Sequence, residues 1–243
     1  MRMLTFASRN TKEILRDPLN LFFGLGFPMV LILLLSAIQA NVPVSLFDIR
    51  HMTPGIAVFG LSFMTLFSAT LISKDRGSAL LQRLYTTPLT GIDFILGYML
   101  PILPIALGQT VICYLAAIPL GLTLSINIVY AVIGQIPIAI FYIALGLLCG
   151  SLLGVKQVGG VCGGLFTNLS AWLSGVWFDL ELVGGIFEKI ANALPFVHAV
   201  EMERALLAGN FEAVSSHILP VLLYTAAFTV IAMLSFLRQM NNQ

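Results

Sequence analysis

Between His51 and Ser73 the chain runs 23 residues without an Asp, Glu, Lys or Arg, and between Phe94 and Val155 it runs 62 more. A helix rises about 1.5 Å per residue, so about 20 residues cross the ~30 Å hydrocarbon layer of a bilayer. The shorter window holds one such helix. The longer would be ~93 Å as a single rod, so it folds back on itself. Its turn signal is Pro119-Leu120-Gly121, followed by Ser125 and Asn127. Read this way, the pattern predicts six transmembrane helices, over 21–39, 54–73, 94–118, 128–153, 157–177 and 217–237.

Three polar segments separate or flank these spans. Residues 1–17 mix Met3, Leu4, Phe6, Ile14 and Leu15 with Arg2, Arg9, Lys12, Glu13 and Arg16, the pattern of an interfacial helix stopped before Pro18. Residues 74–90 form a charged island. There Ser78 stands at the N-cap of a short helix that puts Leu80, Leu81 and Leu84 on one face. Pro88 ends it, and Thr90 with Asp93 predicts a capping box that opens the third span. Residues 179–212 are acidic, with Asp179, Glu181, Glu188, Glu201, Glu203 and Glu212 against Lys189 and Arg204. Apolar periodicity broken at Pro195 predicts two short helices here, dipping toward or capping the outer side. The fold class expected is thus an all-α membrane protein.

Composition agrees. The chain has 243 residues, 58% hydrophobic and 9% charged, where soluble domains carry about 25% charged. A net charge of +1, with no large basic patch, gives no reason to expect a nucleic-acid partner. Cys113, Cys149 and Cys162 lie inside apolar runs and read as small hydrophobes. The first apolar run is too long for a secretory h-region and reads as a retained span. Nine Lys and Arg (2, 9, 12, 16, 74, 76, 83, 156, 238) fall on one side of this layout and three (50, 189, 204) on the other. The rich side is cytoplasmic, which puts both termini in the cytoplasm and the spans in the inner, or plasma, membrane. No Asp, Glu, Lys or Arg falls near the middle of a predicted span, which speaks against a proton-coupled carrier. His198, after the Pro195 break, reads as structural.

Four local patterns then carry a resemblance. They are Arg16-Asp17-Pro18 with Phe27-Pro28; Lys74-Asp75-Arg76-Gly77-Ser78 through Leu84-Tyr85-Thr86-Thr87-Pro88-Leu89-Thr90; Leu173-Ser174-Gly175-Val176-Trp177-Phe178; and Leu194-Pro195-Phe196-Val197-His198. In this order and on these sides they resemble the membrane subunit of type-2 ABC exporters, the ABC-2 permease family. Gln82 stands where the family often has Glu.

The resemblance implies that the island is a coupling helix seated in a separate ATP-binding subunit, with Lys74, Asp75, Arg76, Gly77, Leu80, Leu81, Arg83, Leu84, Thr87 and Pro88 at the contact. It implies outer re-entrant helices between spans five and six, and pairing with a second permease subunit, a copy or a homologue. It also implies that ATP and Mg are held by the partner and no cofactor by this chain, which lacks a Gly-x4-Gly-Lys-Ser/Thr loop. The Gly-rich run 159–164 is expected to permit close helix packing. Candidates along a substrate path are Ser62, Thr65, Ser68, Thr167, Asn168 and Ser170, for which interhelical hydrogen bonding is the competing role. The short outer segment and apolar spans favour an amphipathic drug, antimicrobial peptide or lipid as cargo.

Two other classes compete with this reading. An intramembrane enzyme is suggested by Ser174-Gly175 and His198, but Trp172 stands where that motif needs Gly. A secondary transporter or channel would want a midspan ion site or inverted repeats.

Overall fold

The computed structural model describes residues 2–42, 45–78 and 90–241, and no strand occurs among them. The all-α expectation is met. The first helix, α1 (Arg2–Leu15), buries Phe6, Asn10 and Ile14, one turn apart, and exposes Leu4 and Leu15. Asp17 then accepts from the Asn20 backbone N–H at 3.2 Å and caps α2, which runs over Pro18–Asn41 with a π-helical turn at Phe22–Gly26.

Helix α3 (Ile49–Gly77) is the centre of the bundle: 83% of its most apolar 18-residue window is buried. The predicted capping box opens α4 (Gly91–Leu120). The Asp93 backbone N–H donates to Thr90 Oγ1 at 3.2 Å, and the Thr90 backbone N–H donates to Asp93 Oδ2 at 3.0 Å. Phe6 of α1 packs over Gly97 of α4, where a Cβ would collide with the ring. The amphipathic first helix therefore turns its apolar stripe onto the bundle.

Helix α5 (Asn127–Leu152) lies against α3 at very close range. A Cβ on Gly146 would strike Ser68 Oγ and the Thr65 carbonyl, and one on Gly150 would strike Ile72 and Ala69. The gap between the two backbones is bridged by Thr65 Oγ1 donating to the Tyr142 carbonyl at 3.0 Å and Ser68 Oγ to the Ile143 carbonyl at 3.1 Å.

Next comes a helix, α6, over 155–173, π-helical from Gly159 to Phe166. It starts beside Leu153 and ends where Ser174 and Gly175, at φ +70°, turn the chain out of the helix. The predicted span 157–177 is shortened accordingly. The glycine run also departs from expectation. Nothing lies within 4 Å of a Cβ placed at Gly159, Gly160 or Gly164, and only Gly163 approaches a neighbour, Leu66 at 3.2 Å. The close α3 packing is made by Gly146 and Gly150 instead.

Residues 179–208 form α7 (Leu180–Val183), α8 (Gly185–Ala193) and α9 (Pro195–Ala208). Pro195 occupies the first turn of α9, where its missing N–H costs nothing. Gly209, at φ +75°, closes α9, and α10 (Phe211–Asn241) follows.

Among the described residues five helices are long and apolar enough to cross a membrane: Pro18–Asn41, Ile49–Gly77, Gly91–Leu120, Asn127–Leu152 and Phe211–Arg238. Helix α6 is not among them, because Lys156, Gln157, Asn168 and four glycines dilute its apolar content.

Candidate functional site

The charged island was the strongest sequence feature, and the structure describes its base. Residues 79–89, with Leu80, Leu81, Arg83, Leu84, Thr87 and Pro88, lie outside the described residues. Ser78 sits in extended backbone at the C-cap of α3, and its hydroxyl donates to the Asp75 carbonyl at 2.9 Å. Gly77 is exposed, with nothing within 4 Å of a Cβ there.

The three charges before it reach three different elements. Asp75 is buried, 2% exposed. Its carboxylate accepts from Arg9 Nη1 at 2.6 Å and Arg9 Nη2 at 2.9 Å, a bidentate pair with α1, and from Tyr98 Oη of α4 at 2.9 Å. Arg9 also meets Glu13 one turn away, and Asn10 Nδ2 donates to the Gly97 carbonyl at 3.0 Å. Burial works against the charge on Arg9, but the Asp75 hydrogen bond and carboxylate, helped by Glu13, outweigh it and raise the guanidinium pKa. Arg76 Nη1 donates to the Gly150 carbonyl at 2.7 Å and the Leu153 carbonyl at 3.2 Å. It thereby serves the open C-terminal carbonyls of α5. Lys74 Nζ lies 3.6 Å from Asp17, at the α1–α2 junction. The end of the bundle that carries the island is thus tied crosswise through the last turn of α3. The chain's C-terminal helix returns to the same end, where Phe236 packs on Phe94 and Leu237 on Gly91.

The opposite end has its own tie. Arg204 of α9 donates to the Gly175 carbonyl at 3.0 Å and the His51 carbonyl at 3.3 Å, and pairs with Glu201 at 2.7 Å. It joins the exit turn of α6 to the start of α3. Beside it a cavity of about 420 Å³ is lined by Asp179, Glu181, Glu188, Asn192, Glu201 and Arg204.

The candidate path residues do not share one face. Thr65 and Ser68 are buried and bonded to α5, as above. Ser170 Oγ meets Tyr142 Oη at 2.5 Å. Thr167 donates to the Cys162 carbonyl at 3.1 Å, and exposed Asn168 donates to the Gly164 carbonyl at 2.8 Å. Ser62 is buried and its hydroxyl has no hydrogen-bond partner. Three of the six, Thr65, Ser68 and Ser170, make the interhelical hydrogen bonds that compete with a substrate role, while Thr167 and Asn168 bond within their own helix.

Sequence reasoning missed Glu203. It is wholly buried, accepting from Tyr114 Oη of α4 at 3.3 Å, while its Oε1 and both polar side-chain atoms of nearby Gln135 lack hydrogen-bond partners. Burial pushes its carboxyl pKa well up, and the hydrogen bond from Tyr114 offsets that only in part. The signal was available: Phe196, Val200, Glu203 and Leu206 recur at helical spacing, so the acid falls on the buried stripe of α9. Asp75 was singled out in the sequence, but its partner Arg9, 66 residues away, was not.

These features define a helical, multi-pass membrane protein whose charged side chains pin both ends of the bundle. The sequence profile of the ABC-2 type transporter family matches residues 2–208. The chain belongs to that family, and is a membrane permease component that is not itself catalytic. A search among curated proteins finds no match to it.

Proposed function

We propose that this chain is the membrane-spanning subunit of an ATP-driven exporter, moving an amphipathic drug, antimicrobial peptide or lipid out of the cytoplasm or inner leaflet. In this reading α6 is a sixth crossing. It begins beside Leu153, at the end tied by Arg76, and finishes at Gly175, at the end tied by Arg204. Both termini and the 79–89 loop then face the cytoplasm, as the Lys and Arg distribution requires. The helices over 180–208 cap the outer side, where water can reach the backbone break at Gly184 and exposed Gly185. ATP and Mg belong to a separate ATP-binding subunit, the partner with which ABC-2 permeases generally work. A second permease subunit, a copy or a homologue, completes the assembly; the open faces of Gly159, Gly160 and Gly164 suit such packing.

The observation that carries this reading is the anchoring of α3 just before the loop. A motion imposed on the loop pulls directly on α1 through Asp75 and on α5 through Arg76. Nucleotide binding on the partner would thereby shift the population between inward- and outward-facing bundles.

The experiment is to purify the chain in mild detergent from its native host, identify what accompanies it and assay ATP hydrolysis. The expected result is an ATP-binding subunit that is lost when Leu81 and Leu84 are changed to Asp. A stable chain that brings down no ATPase and transports alone overturns the proposal in favour of a secondary transporter. Glu203 is the buried acid such a carrier would use.

A further inference from the structure

His198 of α9 and His217 of α10 face each other across the Gly209 turn. Their Nδ1 atoms stand 3.0 Å apart, with ring centroids 5.3 Å apart. His198 Nε2 lies 3.0 Å from the carbonyl oxygen of Asn192. A carbonyl only accepts, so Nε2 carries the proton and the Nδ1 of the neutral ring presents its lone pair. His217 Nδ1–H then donates to it. A backbone carbonyl on the far nitrogen is the arrangement that orients a metal-bound imidazole. Both rings are half-buried, so water and ions reach them. Glu201 stands one turn beyond His198 on the same helix face, and its charge acts on His217.

We propose that His198 and His217 form a binding site for a divalent transition-metal ion of the zinc or copper class, which imidazole nitrogens suit. The ion takes the place of the bridging proton. The Nδ1–H bond of His217 breaks, its proton goes to solvent while Nε2 of the same ring takes one up, and both Nδ1 lone pairs of the two neutral rings bind the metal. Nitrogens at about 2.0–2.1 Å on a tetrahedral ion are ~3.3 Å apart, so the rings tilt and part by a few tenths of an ångström. Among the described residues no three His, Cys, Asp or Glu are clustered to hold a metal. The site is therefore open, completed by water, with Glu201 supplying negative charge at a distance while its Oε1 stays on Arg204. An ion held there clamps the acidic helices over 180–208 to the start of α10. In the proposed topology this lies on the outer side, but metal binding does not depend on the export reading.

The test uses the full, tag-free chain in detergent, stripped with a chelator. Zn²⁺ is titrated by calorimetry in buffers of different ionisation enthalpy, and Cu²⁺ by electron paramagnetic resonance. The expected result is one ion per chain, a binding enthalpy that does not change with the buffer because two neutral imidazoles release no net proton, and a Kd at least tenfold weaker in His198→Gln and in His217→Gln but unchanged in His51→Gln. The Cu²⁺ spectrum of the wild type shows two imidazole nitrogens. Absence of saturable binding, or binding as tight as the wild type's in both variants, overturns the proposal. If a variant does not fold, the wild-type spectrum decides: anything other than two imidazole nitrogens overturns it.

Discussion

Arg9 on α1 and Asp75 on the last turn of α3 are joined by two hydrogen bonds, of 2.6 and 2.9 Å, across 66 residues of sequence. Asp75 is 3% exposed at its side chain and Arg9 38%, so the pair is sheltered on one side and wet on the other. Removing either partner strands the other. A double-mutant cycle of Arg9→Ala and Asp75→Ala, read by thermal unfolding in detergent, is expected to give a coupling of about 1–3 kcal/mol, kept low by solvent around Arg9. Tyr98 Oη, which also bonds Asp75, makes Asp75→Ala the costlier single change. Strictly additive single effects would remove the pair as the link between α1 and α3.

The closeness of α3 and α5 gives a second expectation. Gly146→Val would press a branched side chain into Ser68 Oγ and the rigid Thr65 carbonyl, so the helices must part. A loss of about 1–3 kcal/mol, or failure to fold, is expected from such overpacking. Gly160→Ala meets nothing within 4 Å and is expected to be neutral or to stabilise the isolated chain by up to ~1 kcal/mol. If a second permease subunit packs on that face, Gly160→Ala lowers the dimer fraction in size-exclusion chromatography while leaving chain stability intact. An unchanged dimer fraction would move the interface elsewhere.

Five of the six expected spans were legible because lipid favours one solution: a long charge-free window becomes a helix. Caps followed from local chemistry, which is why the Thr90–Asp93 box stands where it was expected. What a window cannot encode is which neighbour a residue meets. The six small residues of 159–164 pointed to close packing, yet the contact fell to Gly146 and Gly150, whose spacing is equally plain but whose partner helix lies about 80 residues away. The end of α6 at Leu173 came from a left-handed glycine at Gly175, invisible in hydropathy. Asp75 and Glu203 read as surface charges by composition. Burial of each depends on a tyrosine supplied by α4, Tyr98 or Tyr114.

Among the candidate path residues, Ser62 and Ser170 separate structure from transport. Ser62 Oγ is buried without a partner, so Ser62→Ala is expected to leave stability unchanged or raise it by up to ~1 kcal/mol. Ser170→Ala leaves the buried Tyr142 hydroxyl unpaired and should cost about 1–3 kcal/mol. Substrate-stimulated ATP hydrolysis by the assembled transporter, measured on both variants, then sorts the roles. A Ser62→Ala chain of full stability with altered stimulation places Ser62 on the path. Unaltered stimulation removes it from the path.

Glu203 makes stability depend on pH in a direction fixed by its surroundings. Burial raises its carboxyl pKa well above the ordinary value of 4.5, so the folded chain binds this proton more tightly than the unfolded chain does. The stability linked to that proton is fully present below the unfolded pKa and is lost as pH rises through the folded pKa. Arg204, the next residue, does not relieve the charge, because its guanidinium is committed to Glu201 and to the Gly175 and His51 carbonyls. Glu203→Gln keeps the shape and hydrogen-bonding capacity of the protonated acid but cannot ionise. Thermal midpoints of wild type and Glu203→Gln are therefore expected to converge at acid pH and to separate progressively at alkaline pH, the variant being the more stable there. Parallel profiles across the range would mean that Glu203 gains no proton on burial. The α4–α5–α9 contact around Tyr114 and Gln135 would then have to open to water in detergent, and the Tyr114 hydroxyl would lose its buried acceptor.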